Sequence, residues 1–307
     1  MYKKKFESDW IKELDQKEAT NRVQALKALG NIQPSSEKIV NSVIKAAEDK
    51  DTSVRIAAIT ALGEVGTENK KIWPTLEKAL SDPEFEVRRS AVEVLGLCGS
   101  DISDSSLDAL ISRLKDTHRS VREAAAEALA EWTGDDAISP LEKALKDDDM
   151  RFRREVIYTL GLIGEPAEDA LPEIHANMSN PLPSIRRVAT VAAVNISPDN
   201  KDLKSALLKQ LKDKNLLVRV VTVESLRKSE WKSEDVITEY LAILKNTDED
   251  DILREAILQN LKLIGPDAKA AIPTLIEVTK EEDSDIVSSA EETLATIRAD
   301  KSVSTKK

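Results

Sequence analysis

The chain has 307 residues, 41% of them apolar and only 3% aromatic, with 45 Lys and Arg against 56 Asp and Glu, a net charge of −11 and a pI near 5.0. That acidic balance disfavours general nucleic-acid binding, which draws on a basic face. A single cysteine, Cys98, excludes an intrachain disulfide and a cysteine-based zinc cluster, and no apolar run approaches the roughly 20 residues that cross a bilayer.

The N-terminal stretch MYKKKFESDWIKELDQ carries charge but no apolar signal core, so a soluble, cytoplasmic protein without membrane attachment is expected. From there an arginine returns at Arg22, Arg55, Arg88, Arg122, Arg153, Arg186, Arg219 and Arg254, at intervals of 33, 33, 34, 31, 33, 33 and 35. A period of this size means that each unit buries its apolar face against its neighbours, which predicts an all-α solenoid. Around the arginine each unit repeats one segment, for example TSVRIAAITALGEVG, FEVRRSAVEVLGLCG, MRFRREVIYTLGLIG and DILREAILQNLKLIG. Val54, Ala58, Leu62 and Val65 fall on one face of a 3.6-residue period, so the segment is a helix, and Gly66, Gly99, Gly164 and Gly265 mark its end.

The other half of each unit reads as a second amphipathic helix, as in KIWPTLEKALSD, SSLDALISRLKD and AAIPTLIEVTKE. Four such helices contain Pro74, Pro140, Pro172 or Pro273, expected to bend them. Six residues before the arginine stands Asp49, Asp82, Asp116, Asp147, Asn180, Asp213 or Asp248, with Pro83 and Pro181 following two of them. The position reads as an N-cap. It also predicts a ladder, in which Arg55, Arg88, Arg122, Arg153, Arg186, Arg219 and Arg254 each reach the aspartate of an adjacent repeat in a structural role. Gln16 in the first unit, and Glu281 with Val287 in the last, break the pattern as terminal units would. Residues 300–307, DKSVSTKK, have little apolar content and are expected to be disordered.

The Asp, the six-residue step to Val-Arg, the small-residue run and the Leu-Gly ending resemble HEAT repeats, in particular the short bacterial-type units of phycobilin-lyase-like proteins. The ankyrin T-P-L-H and tetratricopeptide W-x-x-L-G-x-x-Y signatures are absent. The resemblance implies a right-handed superhelix of about nine helix pairs, one solenoid over residues 1–299 with atypical capping repeats at 6–33 and 266–298. It also implies that the second helices line a concave side.

The residues offer little for catalysis. His118 and His175 are the only histidines and stand far apart in sequence, and no glycine-rich phosphate loop is present. The paired His-Glu steps of HEAT-repeat iron hydroxylases are missing. Cys98 and Trp132 share the column of Val65, Ile163, Ile196 and Ile264 and are expected in the core. No enzyme activity, cofactor or metal is therefore expected. Glu123, Glu127 and Glu131 form a like-charged stripe along one helix, for which Arg89 and Arg154 in the flanking units are the expected inter-repeat partners; the Asp147–Asp149 run reads as a solvated cap.

Columns two, three and six residues after the repeated valine should face the concavity. They supply Arg154 and Tyr158, then Arg187 and Val191, then Val220, Val221 and Glu224, a composition like that of binding hot spots. The acidic Glu123, Glu127 and Glu93 form a second candidate surface, suited to a basic peptide. The expected function is a non-catalytic scaffold or adaptor, monomeric in isolation, that binds a protein or peptide. The alternatives are a bilin-lyase-like maturation subunit and, more weakly, a HEAT-like DNA glycosylase; Trp10, Trp73, Trp132 and Trp231 do not gather in the concave columns such a glycosylase would use.

Overall fold

The computed structural model describes residues 6–32, 35–99, 102–132, 135–228 and 234–299; the tail at 300–307 and Trp231 lie outside them. The chain forms two compact units, Met1–Pro166 and Ala167–Lys307. Among the described residues every α-helix falls into one of nine pairs, and no strand is present.

In the first unit the leading helices are α1 (Glu7–Glu13), α3 (Glu37–Ala46), α5 (Trp73–Ala79), α7 (Asp104–Ser112) and α9 (Asp135–Ala144). Their partners are α2 (Ala19–Gly30), α4 (Thr52–Val65), α6 (Phe85–Leu97), α8 (Arg119–Ala130) and α10 (Met150–Ile163). The second unit pairs α11 (Leu171–Asn177) with α12 (Pro183–Ile196), α13 (Lys201–Gln210) with α14 (Leu216–Lys228), α15 (Glu234–Leu244) with α16 (Asp251–Ile264), and α17 (Ile272–Val278) with α18 (Ser284–Arg298). Within each unit the second helices pack in sequence, α2 on α4, α4 on α6, α6 on α8 and α8 on α10, then α12 on α14, α14 on α16 and α16 on α18.

The repeated apolar columns make this row. Val54, Ala58 and Leu62 of α4 are fully enclosed, as are Ala91 and Leu95 of α6 and Val121, Ala125 and Leu129 of α8. Burial of such columns stabilises each pair by about 1.5–3 kcal/mol per large side chain, an upper estimate. Two glycines inside the second helices set how closely the row packs. A Cβ on Gly96 would come 2.8 Å from the Cβ of Ala128 on α8, and one on Gly63 would meet Val94 of α6 at 3.2 Å. Neighbouring helices cross at these points with no room for a side chain.

The prolines act differently from the expected bend. Pro74, Pro172 and Pro273 sit in the first turn of α5, α11 and α17, where the missing N–H costs nothing. The chain reaches these helices through 3-10 turns at Lys70–Ile72, Glu165–Ala170 and Gly265–Ala271, and the change of direction in the latter two sits at non-helical Ala167 and Ala268. Pro140 alone lies inside a helix. The glycine stops, by contrast, sit at positive φ, from 64° at Gly99 to 130° at Gly66.

Candidate functional site

Two surfaces collect the polar chemistry of the repeats. The first is the edge formed by the turns within each pair. The aspartates six residues before the arginines are not N-caps, which corrects the sequence reading: the caps of α4, α8, α10 and α16 are Asp51, His118, Asp149 and Asp250, two residues later. The earlier aspartate instead folds the turn. Asp49 accepts from the Asp51 amide at 2.9 Å, and Asp82 and Asp213 accept likewise from Glu84 and Asn215.

Each of these aspartates also receives the arginine of the preceding repeat. Arg22 donates Nε and Nη2 to both oxygens of Asp49 at 2.8 Å, Arg55 does the same to Asp82, Arg88 to Asp116 and, in the second unit, Arg186 to Asp213. The guanidinium then turns back to its own repeat: Nη1 of Arg88 donates to the carbonyls of Asp82 and Pro83 at 2.8 and 3.0 Å. One planar group thus ties a turn to itself and to the next turn, a geometry that a lysine cannot supply.

The ladder is not uniform. Arg122 does not reach Asp147; it makes one 3.3 Å pair with Glu155, and Asp147 is taken by Lys115 at 2.7 Å. Arg153, whose counterpart position in the sequence is Asn180, donates only to the Asp147 carbonyl, at 3.1 and 2.7 Å. Arg219 pairs with Glu249 at 2.5 Å rather than with Asp248, and Arg254, 2% exposed, pairs with Glu281. In both of these last rungs the arginine Nε has no partner, so a glutamate, one methylene longer and reached by Nη2 alone, replaces the two-pronged aspartate contact. Burial pushes the Asp116 and Asp213 carboxyls up, but Arg88 and Arg186 with the turn amides outweigh it, and both groups lie below their ordinary range.

The second surface is the exposed face of the second helices. At about 100° per residue, the positions one before and two, three, six and ten after the repeated valine lie within an arc of ~100°. In the first unit this face holds Arg89, Glu93 and Leu97 on α6, Glu123, Glu127 and Glu131 along and just past α8, and Arg154, Tyr158 and Leu162 on α10. Leu97 is 72% exposed, and Tyr158 and Leu162 about two-fifths. In the second unit it holds Arg187 and half-buried Val191 on α12, half-buried Val220 and Val221 with exposed Leu217 and Glu224 on α14, and exposed Ile252 and Leu263 on α16.

Arg89 and Arg154 pair on their own helices rather than with the glutamate stripe of α8, which corrects its expected partners; Glu155 also pairs across repeats with Arg122. Arg89 binds Glu93 at 2.8 Å, Arg119 binds Glu123 at 2.7 Å, and Arg154 binds its neighbour Glu155 at 2.5 Å. Glu127 and Glu131 hold no ion pair among the described residues. The sequence reading also missed Leu97, Leu162, Leu217, Ile252 and Leu263, because it followed only three columns; extending the same helical wheel by one turn in each direction finds them.

Cys98, His118 and Trp132 are each held by neighbouring groups. Cys98 is half-buried, donates to the Val94 carbonyl at 3.4 Å and has its thiol pushed up to about 11 by burial, a poor nucleophile. His118 caps α8 and stacks on Phe85 with centroids 3.6 Å apart. Trp132 is buried and donates to the Gly96 carbonyl. No group of three metal-ligating side chains occurs among the described residues, and none of their helices is long and apolar enough to cross a membrane.

The family profile of HEAT repeats matches residues 7–96, 67–130, 107–195 and 203–295. The chain belongs to the HEAT-repeat family. Its fold is similar to that of Kap95p in a structure with RanGDP, at TM-score 0.70 and 16% identity over 97% of this chain and 47% of that one. Importin beta is similar at TM-score 0.64 and 17% identity, over 94% of this chain and 46% of that one. This HEAT-repeat chain thus spans about half the length of both. CpcE and CpcF of phycocyanin lyase from Nostoc match over 96% of each chain at 19% identity, but at TM-score 0.35 the likeness carries no argument. A comparison with curated protein sequences finds no match.

Proposed function

We propose that this HEAT-repeat protein is a non-catalytic scaffold whose second helices bind a protein or peptide partner through their exposed face. The observation that supports this reading most is the row of large apolar side chains left open there: Leu97, Tyr158 and Leu162 in the first unit, Leu217, Ile252 and Leu263 in the second. Scattered apolar residues on a surface need no explanation, but these recur at fixed columns, on α6 and α10 either side of the acidic α8 in the first unit and on neighbouring α14 and α16 in the second. Arg154 and Tyr158 are the proposed anchors in the first unit and Arg187 in the second, where Val191 and Val220 contribute half-buried apolar area, and aromatic and arginine side chains dominate interface energetics.

The acidic column of α8 adds specificity to the first patch. Glu127 and Glu131 lie between the open leucine of α6 and the tyrosine of α10, so the partner segment facing this unit carries Lys or Arg beside apolar side chains. Similar proteins of this fold, Kap95p among them, occur in complexes with proteins, as the RanGDP and Nup1 structures state. A bilin-lyase-like role has no support from Cys98, whose thiol is neither exposed nor acidic.

The test is a quantitative affinity purification from the native host, comparing the parent with Leu97→Glu/Tyr158→Ala in the first unit and Leu217→Glu/Ile252→Glu in the second. Partners bound by the face are lost from one or both variants while thermal melts stay within a few degrees of the parent. Undiminished recovery with both variants contradicts the reading.

A further inference from the structure

Two clefts sit at the turn edge, one in each unit, at matching places in the repeat. The cleft of the first unit, about 200 Å³, is lined around the Arg22–Asp49 rung and carries Lys45 and Asp15 beside it. Two cations thus face two carboxylates. The cleft of the second unit, about 490 Å³, surrounds the Arg186–Asp213 rung and is lined by Lys209, Lys212, Lys214 and His175. Four cationic side chains, with the imidazole besides, face one carboxylate.

The substitutions behind this contrast are specific. Lys209 occupies the column of Lys45, but Ser179 stands where the first unit has Asp15, His175 where it has Ile11, and Lys212 in the column of Glu48. The rung itself is spent: Arg186 holds both oxygens of Asp213 at 2.7 Å and the carbonyls of Asn180 and Pro181. Lys212 is held by Glu239 at 2.7 Å. Lys209 and Lys214 are exposed and make no carboxylate contact within 4 Å among the described residues; Lys214 acts through space on Asp213, whose oxygens Arg186 already holds. The floor is fixed by Gln210, 5% exposed, which donates to the Met178 carbonyl at 2.7 Å and accepts from Thr190 and Thr222.

We propose that this cleft binds a phosphate monoester. Two free ammonium groups match the charge of about −1.5 to −2 that such a group carries at neutral pH, whereas a carboxylate would leave one of them uncompensated. Ser179 and His175 supply further hydrogen-bonding groups at its wall. A polyanion is disfavoured by the net charge of −11, so the ligand presents one phosphate rather than a chain of them. The phosphate belongs either to a small molecule or to a phosphorylated side chain of a protein, and the chemistry recognised is the same.

Calorimetric titration of the full chain at low salt separates these cases, using inorganic phosphate, a phosphoserine peptide and its unphosphorylated counterpart. The parent is expected to bind inorganic phosphate saturably, and Lys209→Ala/Lys214→Ala to weaken that binding by roughly tenfold or more. Ser179→Asp, which restores the acid of the first-unit cleft, is expected to weaken it similarly with both lysines intact. Lys45→Ala, in the matching cleft of the first unit, leaves it unchanged. Tighter binding of the phosphopeptide, with none by its unphosphorylated counterpart, assigns the phosphate to a protein; equal affinities for the peptide and inorganic phosphate assign it to a small molecule. Absence of saturation, or parental affinity in the lysine variant and in Ser179→Asp once melts show both folded, overturns the proposal.

Discussion

The turn edge and the exposed face of the second helices are made by the same repeat and treat their polar groups in opposite ways. At the edge Arg88 makes four hydrogen bonds, two to Asp116 and two to the carbonyls of Asp82 and Pro83. On the face Leu97 stands open, and Glu127 and Glu131 hold no ion pair among the described residues. Groups that stabilise a fold are satisfied inside it; groups left open by a regular array are available to something else. The contrast fits an edge whose arginine rungs hold the repeats together and a face that the proposed reading gives to a protein partner.

The largest way to break this contrast is at the edge. Arg88→Ala leaves Asp116, whose side chain is only 3% exposed, with just the 3.7 Å contact of Arg113 as counter-charge, and should cost about 2–3 kcal/mol in denaturant unfolding. Arg122→Ala, which removes a single 3.3 Å pair and its turn contacts, should cost about half as much. Equal losses would mean that the two-pronged aspartate geometry adds nothing. Gly96→Val, placing a branched side chain against Ala128, should cost about 2 kcal/mol and loosen the α6–α8 crossing.

Acid sharpens the same point more gently. The folded-state carboxyls of Asp116 and Asp213 lie below their ordinary value of 3.8, so the stability they contribute is present above that pH and is lost as pH falls through their lowered values. Denaturation midpoints should therefore drop progressively below pH 3.8, and by less in Asp116→Asn, already destabilised at neutral pH. The smallest effect belongs to the face: Glu127→Gln/Glu131→Gln relieves like-charge repulsion along the helix and should change stability by only a few tenths of a kcal/mol, in the stabilising direction. A loss above about 1 kcal/mol would place those carboxylates in the fold rather than on a binding surface.

Much of this was legible in the sequence, because a repeat reports its own geometry. The 33-residue arginine period gives the helix pairs, and the positive-φ glycines give their ends. The Arg22–Asp49 and Arg88–Asp116 rungs are also implied by one spacing, since at the regular rungs the aspartate stands 27 or 28 residues beyond the arginine of the unit before, against 25 from Arg122 to Asp147 and 29 from Arg219 to Asp248. What the spacing could not convey is competition: Lys115 takes Asp147 before Arg122 can, and Glu249 displaces Asp248, choices made by side-chain reach in three dimensions. The N-cap was misplaced for a related reason, because Asp49 and Asp51 carry the same group and only backbone dihedrals tell which one starts the helix. The open leucines were legible and overlooked; the cleft around Arg186 was not, since Lys209 and Lys214 come together with His175 only when two turns stack.

The division between edge and face is tested most directly by partner recovery with Arg88→Ala beside Leu97→Glu/Tyr158→Ala, both purified at a temperature where each is folded. Recognition by the face predicts that Arg88→Ala recovers the parental partners and that Leu97→Glu/Tyr158→Ala loses those bound through the first unit. Loss with Arg88→Ala and full recovery with the face variant would contradict it.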